Sequence, residues 1–301
     1  MAIIGGIEMG GTKMVCAVSR NGREILEEVR YPTGADPQAA LAQAVAIFHR
    51  MADRHGPVSA IGIGAFGPCD PDPASATYGS ITTTPKPGWR DADVLGTLRR
   101  GLGGMPMRFD TDVNAAALGE LRHGAGSGLD SLVYLTIGTG IGGGVVLGGA
   151  LVHGMTHPEM GHLRVPRPPA EQAAFAGVCP YHGDCLEGVA AGPAIAARWG
   201  VAGQDLPADH PAWDLEADYL GEALATLVLV LSPQRIVLGG AVGLLAHLLS
   251  RVRPRMLAHL GGYIAHPSLA DGATEYIVHP QLGNHAGVIG AFCLVDDYLA
   301  D

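Results

Sequence analysis

Glu8-Met9-Gly10-Gly11-Thr12-Lys13 joins two short β-rich runs, Ala2 to Ile7 and Met14 to Ser19. Gly138-Thr139-Gly140-Ile141-Gly142-Gly143 joins two more, Leu132 to Ile137 and Gly144 to Leu147. Each reads as a β-hairpin with a glycine tip, because glycine adopts the backbone angles that a tight turn demands. The order around the two turns also recurs. After the first, Asp36-Pro37 opens a helix with Asp as cap and Pro at its first position; Leu41, Val45, Phe48 and Met51 recur on one face until Gly56-Pro57. A strand at Ala60 to Ala65, a short helix at Asp93 to Leu102, a strand at Met107 to Phe109 and a helix from near Asp112 are predicted next. After the second turn come helices around Pro193 to Trp199 and Trp213 to Leu231, a strand at Arg235 to Leu238, and helices from Leu244 and over Ala286 to Leu299. The halves look like degenerate copies, so two similar α/β lobes with a central cleft are the simplest reading; one larger doubly wound sheet is the alternative. The predicted division puts 1–115 and about 285–301 in an N-terminal lobe and 116–284 in a C-terminal lobe.

Composition narrows the function classes. A chain of 301 residues that is 48% hydrophobic can bury a large core, which rules out disorder. The formal charge of −10 repels nucleic acid phosphates and anionic lipid, and 5% aromatic residues offer little for stacking bases. Neither a nucleic acid nor a membrane is an expected partner. The start, MAIIGGIEMGG, lacks the basic region and continuous apolar run of a signal peptide, so a cytoplasmic location is expected. The uncharged stretch 131–152 contains seven glycines and is read as two strands around a turn rather than a membrane span. Five cysteines with no export signal indicate thiols, not a disulfide framework.

Converging backbone N–H groups at a glycine turn bind phosphate where no side chain blocks the approach. Gly138 to Gly143 fits G-x-G-x-x-G, but a strand follows where a dinucleotide fingerprint needs a helix. The first turn has the glycine spacing of a P-loop, yet Thr12-Lys13 stands in place of Lys followed by Ser or Thr. Either turn alone could be a plain hairpin; two in matching places point to phosphate. Phosphoryl transfer also asks for a carboxylate that accepts the hydroxyl proton. Asp112, where a strand gives way to a helix, is the candidate, with a helix N-cap as the plain alternative.

A second cluster has metal-ligand character. His153, His157, His162, Cys179, His182 and Cys185 hold four of the 13 histidines and two of the five cysteines. Cys179-x-x-His182-x-x-Cys185 sets three ligands in a tight loop, and His162 completes a tetrahedral Zn²⁺ set. Four protein ligands leave no open position, so such a metal is structural. Surface thiols and histidines without metal are the plain alternative.

Taken together, Glu8 to Lys13, Asp112-Val113-Asn114-Ala115-Ala116-Ala117, the Gly138 to Gly144 turn and Glu159-Met160-Gly161-His162 stand in the order found in ROK-type sugar kinases, which the chain resembles nearly end to end. Gly6 to Lys13 and Tyr78-Gly-Ser-Ile-Thr-Thr-Thr-Pro-Lys-Pro-Gly-Trp89 look most like the bacterial, zinc-containing fructokinase branch. The resemblance implies an actin-like ATPase (ribonuclease H-like) fold, with ATP and sugar meeting in the cleft. It implies ATP-dependent phosphorylation of a hexose, D-fructose to fructose 6-phosphate first, with a glucokinase, mannokinase or amino-sugar kinase as alternatives. Asp112 becomes the implied base. Gly10, Gly11, Thr12, Lys13, Gly138, Thr139, Gly140 and Gly142 are implied around the ATP phosphates, and Gly239-Gly240 near the adenosine. Glu8 stands where the wider family has Asp, the residue associated with Mg²⁺. Glu159 and Glu187 are implied to bond sugar hydroxyls, and Asp70, Thr84 and Lys86 to close over the sugar. Thr111 replaces an Asn that contacts the sugar in many relatives, and reaches less far. Relatives carry a His and three Cys in the metal loop, whereas this chain has His182 in place of one Cys. A homodimer is the family expectation. Two rivals of another class are a sugar-sensing transcriptional regulator and a noncatalytic sugar-binding protein. The first needs an N-terminal DNA-binding domain, and a first strand from about Ala2 leaves no room for one; the second is disfavoured by Asp112 and the two turns.

Overall fold

The computed structural model describes residues 2–299. Its elements run β1 (Ile3–Met9), β2 (Lys13–Ser19), β3 (Ile25–Pro32), α1 (Pro37–His55), β4 (Val58–Ala65), α2 (Val94–Gly101), β5 (Met107–Thr111), α3 (Asp112–His123), β6 (Leu132–Ile137), β7 (Ile141–Leu147) and β8 (Ala150–Leu151). Then follow α4 (Pro169–Ala174), α5 (Leu186–Ala190), α6 (Gly192–Trp199), α7 (Ala212–Leu231), β9 (Arg235–Gly239), α8 (Gly240–Gly243), α9 (Ala246–Leu260), β10 (Ile277–Val278) and α10 (Ala286–Cys293), with short 3₁₀ turns between.

Two five-stranded sheets have orders β3-β2-β1-β4-β5 and β10-β9-β6-β7-β8. Read from its first hairpin, each sheet places its third, second, first, fourth and fifth strands side by side, which is the internal duplication the two glycine turns announced. In the first sheet β2 runs antiparallel to both β1 and β3, and β4 runs parallel to β1 and β5. In the second, β9 runs parallel to β6 and β10, and β7 pairs antiparallel with β8. By compactness the chain forms two units: residues up to 128, 144–158 and from 281 in the first, and 129–143 with 159–280 in the second.

The first unit buries both faces of its sheet, so its strands read as near-continuous apolar runs. On one face Ile7, Met9, Met14 and Ile63 pack with Leu41, Phe48 and Met51 of α1. Each fully buried side chain of this kind contributes about 1.5–3 kcal/mol. Asp36 caps α1 as the sequence implies, its Oδ1 accepting the Gln38 and Ala39 amides. On the other face Ile4, Val15 and Ala17 meet Leu118 of α3 and Val288, Ile289 and Phe292 of α10. Backbone comes close there: a Cβ on Gly62 of β4 would lie 1.7 Å from the Ala291 oxygen, and one on Gly290 1.6 Å from the Ala115 oxygen. Fully buried Glu120 of α3 binds the same C-terminal stretch, its Oε2 accepting the Gln281 amide at 3.0 Å and its Oε1 the Leu282 amide at 2.8 Å.

Several sequence-based boundaries shift. Glu8 and Met9 belong to β1 and Lys13 to β2, which leaves Gly10, Gly11 and Thr12 in the first turn. The second glycine turn closes at Gly140, and Gly142 and Gly143 already belong to β7. The helix expected from Leu244 is two pieces, α8 directly after β9 and α9 from Ala246. The last helix ends at Cys293 instead of running to Leu299, with a separate 3₁₀ turn over Asp296–Leu299. None of the five cysteines is in a disulfide, and no helix among the described residues is long and apolar enough to cross a membrane.

Candidate functional site

The turn from β5 into α3 carries Asp112, and its side chains divide the work. Thr111 is the helix cap: its Oγ1 accepts the Asn114 amide at 3.1 Å. Asp112 is therefore the first helical residue, not the cap, and its Oδ1 accepts the Val113 amide at 2.9 Å. The helix N-terminus favours the ionised carboxylate. Behind it, Asp110 Oδ1 accepts the Thr111 amide at 2.7 Å and Asn114 Nδ2 at 2.8 Å. Asn114 is fully buried and takes the Val145 amide on its Oδ1 at 3.2 Å. It supports the turn, as does Asp110, which sequence reasoning passed over because a lone Asp at a strand end carries no motif.

The first glycine turn is held from behind and open in front. Gly10 donates to the Lys13 carbonyl at 2.9 Å, and Thr33 binds both the Gly10 carbonyl (Oγ1, 2.7 Å) and the Thr12 carbonyl (amide, 3.0 Å). Gly11, Thr12 and Lys13 are exposed, and a Cβ on Gly11 would meet nothing within 4 Å. Lys86, expected beside the sugar, places its Nζ 2.6 Å from the Gly11 carbonyl and so brings a second cation to this turn. Thr84 bonds the Gly67 carbonyl at 3.3 Å, and Asp70 is occupied by the Ser75 and Thr77 hydroxyls.

Glu8 leaves β1 toward the N-terminus of α10, where a Cβ on Gly287 would lie 2.6 Å from its carboxyl carbon. Burial pushes its pKa up; Lys13, Arg30 and the Val288 amide pull it back. Its Oε2 is buried with no hydrogen-bond partner. A buried carboxylate oxygen in want of a positive partner, one strand-end from a phosphate turn, fits the Mg²⁺ of an ATP complex or one of its waters.

In the second unit the tip Gly138–Gly140 is braced by Glu187 on α5, whose Oε2 accepts the Ile141 amide at 2.9 Å. Glu159 lies in the field of the same carboxylate: partial burial first, then Glu187, raises its pKa. Gly138 and Thr139 line a cavity of about 230 Å³ together with Gly192, Pro193, Gly203, Gln204, Val242 and Leu245. The Gly192 amide donates to the Gly138 carbonyl at 2.8 Å, which joins α6 to the turn. Of this lining only Gly138 and Thr139 stood out in the sequence; the rest comes from three further segments that share no motif. Gly239 and Gly240 just precede Ala241 of its wall, and both are explained by packing. A Cβ would lie 2.4 Å from the Tyr134 hydroxyl at Gly239 and 2.4 Å from the Ile137 carbonyl at Gly240, where φ is +80°.

The four expected metal ligands converge. Ligand atoms of His162, Cys179, His182 and Cys185 all lie within 4.8 Å of one another. His162 Nδ1 is 3.3 Å from Cys185 Sγ and 3.8 Å from Cys179 Sγ, and His182 Nδ1 is 3.6 Å from Cys179 Sγ. A tetrahedral Zn²⁺ with ordinary bond lengths has N···S edges of about 3.6 Å. Mutual backbone bonds between Cys179 and Gly183 and the left-handed Gly183 (φ +67°) close the loop. Burial lowers the His162 pKa, favouring the neutral imidazole that a metal needs. Burial raises Cys185 to about 11, a cost that a bound cation removes. Among the described residues a second group, His123, Cys293 and Asp296, also clusters, but the Arg122 guanidinium already pairs with Asp296.

Comparison with known proteins agrees with this geometry. The chain is 41% identical to a fructokinase of Pediococcus pentosaceus over 292 residues, 97% of each chain. It superposes on a ROK hexokinase from Thermus thermophilus with a TM-score of 0.78 and 31% identity, covering 99% of both chains. It is also similar to a ROK family glucokinase from Streptomyces griseus, solved in complex with glucose and AMPPNP: TM-score 0.77, 26% identity, 98% of this chain and 100% of that one. The ROK family pattern matches residues 4–298, so two duplicated sheets, paired glycine turns and the Asp112 turn sit within a match that spans nearly all of the described chain. The chain belongs to the ROK family.

Proposed function

We propose that this ROK-family hexose kinase takes D-fructose as its preferred sugar and forms fructose 6-phosphate, with Asp112 as the base. Asp112 accepts the proton of the attacking hydroxyl late in a loose transition state, so its task is to be charged and held in place. The observation that carries this role is the division of labour in the turn: Thr111 caps α3, while Asp110 and Asn114 fix the backbone beneath Asp112. In the first unit the open face of Gly10 to Lys13 receives phosphate oxygens, with Lys13 and Lys86 offsetting their charge. In the second unit Gly138 to Gly140 does the same, and the adjoining cavity suits the nucleoside. Glu159 and Glu187 accept hydrogen bonds from sugar hydroxyls.

Glu8 is the residue that would hold Mg²⁺ or its water; the ion supplies charge neutralisation at the phosphates. His162, Cys179, His182 and Cys185 would hold Zn²⁺ with no open position, so its contribution is structural. Cys185 is the N-cap residue of α5, and Glu187 is the second residue of that helix, so clamping the loop orients a sugar-binding carboxylate.

The test is ADP release from ATP and Mg²⁺ with fructose, glucose, mannose and N-acetylmannosamine offered singly. Fastest release with fructose supports the assignment. Equal rates describe a broad hexose kinase, and no release with any sugar overturns the reading.

A further inference from the structure

One titratable side chain outside the groups assigned above ends in the turn that carries Asp112. His153 follows β8, and its Nε2 lies 2.8 Å from Asp110 Oδ2. Asp110 is only 4% exposed, and its other oxygen is taken by the Thr111 amide and Asn114 Nδ2. Asn114 Nδ2 also lies 3.3 Å from His153 Nε2. The ionised Asp110 oxygen only accepts, so in the shorter contact Nε2 carries the proton and donates it to Asp110, and Asn114 Nδ2, itself a donor, makes no hydrogen bond to Nε2. The Asn114 amide then reaches Thr111, the cap of α3. His153, Asp110, Asn114 and Thr111 thus form one hydrogen-bonded chain within the first unit, and it ends one residue from Asp112.

We propose that His153 is a positioning residue whose imidazolium, paired with Asp110, holds the 110–114 turn so that Asp112 is presented for proton transfer. The inference rests on the reading of Asp112 as base. A buried carboxylate with one charged and two neutral donors is held more tightly than one with neutral donors alone. The His153 side chain keeps 34% of its surface exposed, so the ring exchanges protons with solvent. Its hydrogen bond to Asp110 raises its pKa above the ordinary imidazole value, partial burial opposes this, and the charges of Asp110 and Asp72 add to the rise. The groups facing it are Asp110 from β5, Asn114 from α3 and Asp72 from the segment after β4. Because the shift is upward, the charged pair is intact below the ordinary histidine value and is lost as pH rises through the shifted one. Turnover accordingly falls on the alkaline side.

The test is kcat from pH 6 to 9 at saturating ATP and hexose for the wild type, His153→Gln and His153→Lys. His153→Gln is expected to lower kcat about 3–10-fold at pH 6.5, with hexose KM within about twofold, and to abolish the alkaline limb. His153→Lys, charged across this range, is expected to keep its activity to pH 9. Wild-type kcat and an unchanged limb in His153→Gln overturn the proposal. An NMR titration of His153 serves if a variant folds poorly: its midpoint should fall toward the ordinary value in Asp110→Asn, and an unmoved midpoint overturns the pair. Asp112→Asn, run beside them, separates the two readings. Retained turnover there sinks Asp112 as base, whereas the His153 midpoint is read without turnover.

Discussion

Glu187 Oε2 accepts the Ile141 backbone amide at 2.9 Å, so the carboxylate proposed to take a sugar hydroxyl also braces the strand leaving the second glycine turn. Removing it should therefore disturb two ligands at once. Glu187→Ala is expected to raise KM for ATP as well as for fructose, each by about tenfold, the worth of one charge-assisted hydrogen bond. Steady-state kinetics with each substrate varied decides this; an unchanged KM for ATP confines Glu187 to the sugar.

Asp112 and Thr111 are neighbours with separable tasks. Asp112→Asn should cost about 10²–10⁴-fold in kcat and leave fructose affinity within a few-fold, since only proton acceptance is lost. Thr111→Ala should instead cost about 1 kcal/mol of stability through the missing cap. Calorimetry and single-turnover kinetics on the pair tell them apart. Equal losses in both readouts for both variants contradict the division of labour.

Metal content should be one Zn²⁺ per chain by elemental analysis. Cys179→Ser or a strong chelator should release it and lower Tm by about 5–10 °C, because the loop holds its shape through those ligands. His182→Cys should keep the metal, since a thiolate serves Zn²⁺ as well as an imidazole does. Full metal content in Cys179→Ser rules out the site as drawn.

Glu216 of α7 is fully enclosed, its Oε1 has no hydrogen-bond partner, and burial holds its pKa well above the ordinary carboxylate value despite the pull of Arg198. The folded protein keeps this proton while the unfolded chain releases it above the ordinary value near 4.5, so stability is full below that pH and declines as pH rises toward the folded value. Glu216→Met should stabilise by about 1–3 kcal/mol at pH 8 and by less at pH 5. Denaturant midpoints at the two pH values measure it; an equal change at both removes the buried proton from the account.

What the sequence disclosed follows from which forces act locally. The Asp36-Pro37 start of α1 and the two glycine hairpins were legible because caps and tight turns are decided by a few adjacent residues. The CxxHxxC spacing was legible for the same reason, and so was His162 as a nearby candidate; what only the fold shows is that, 17 residues before Cys179, its Nδ1 comes within 3.8 Å of the Cys179 sulfur. Lys86 went to the first glycine turn because Gly11 offers a carbonyl that only the tertiary structure places beside it. Asp110 and His153, 43 residues apart, carry no pattern at all, and their pairing appears only once β5 and the arm after β8 share a unit.

The close backbone seams of Gly62 with Ala291 and of Gly290 with Ala115, together with Glu120 bound to Gln281 and Leu282, bear on biosynthesis. The strands and helices that carry Glu8 and Asp112 precede the whole second unit in the chain, yet one face of their sheet is covered by α3 together with α10, which follows that unit. During synthesis the part of that face which meets α10 stays uncovered until α10 has been made. A break in the chain before Ala286 would strip α10 from that face and leave Ile4, Val15 and Ala17 without part of their apolar cover, so the completeness of this core depends on the last helix being made.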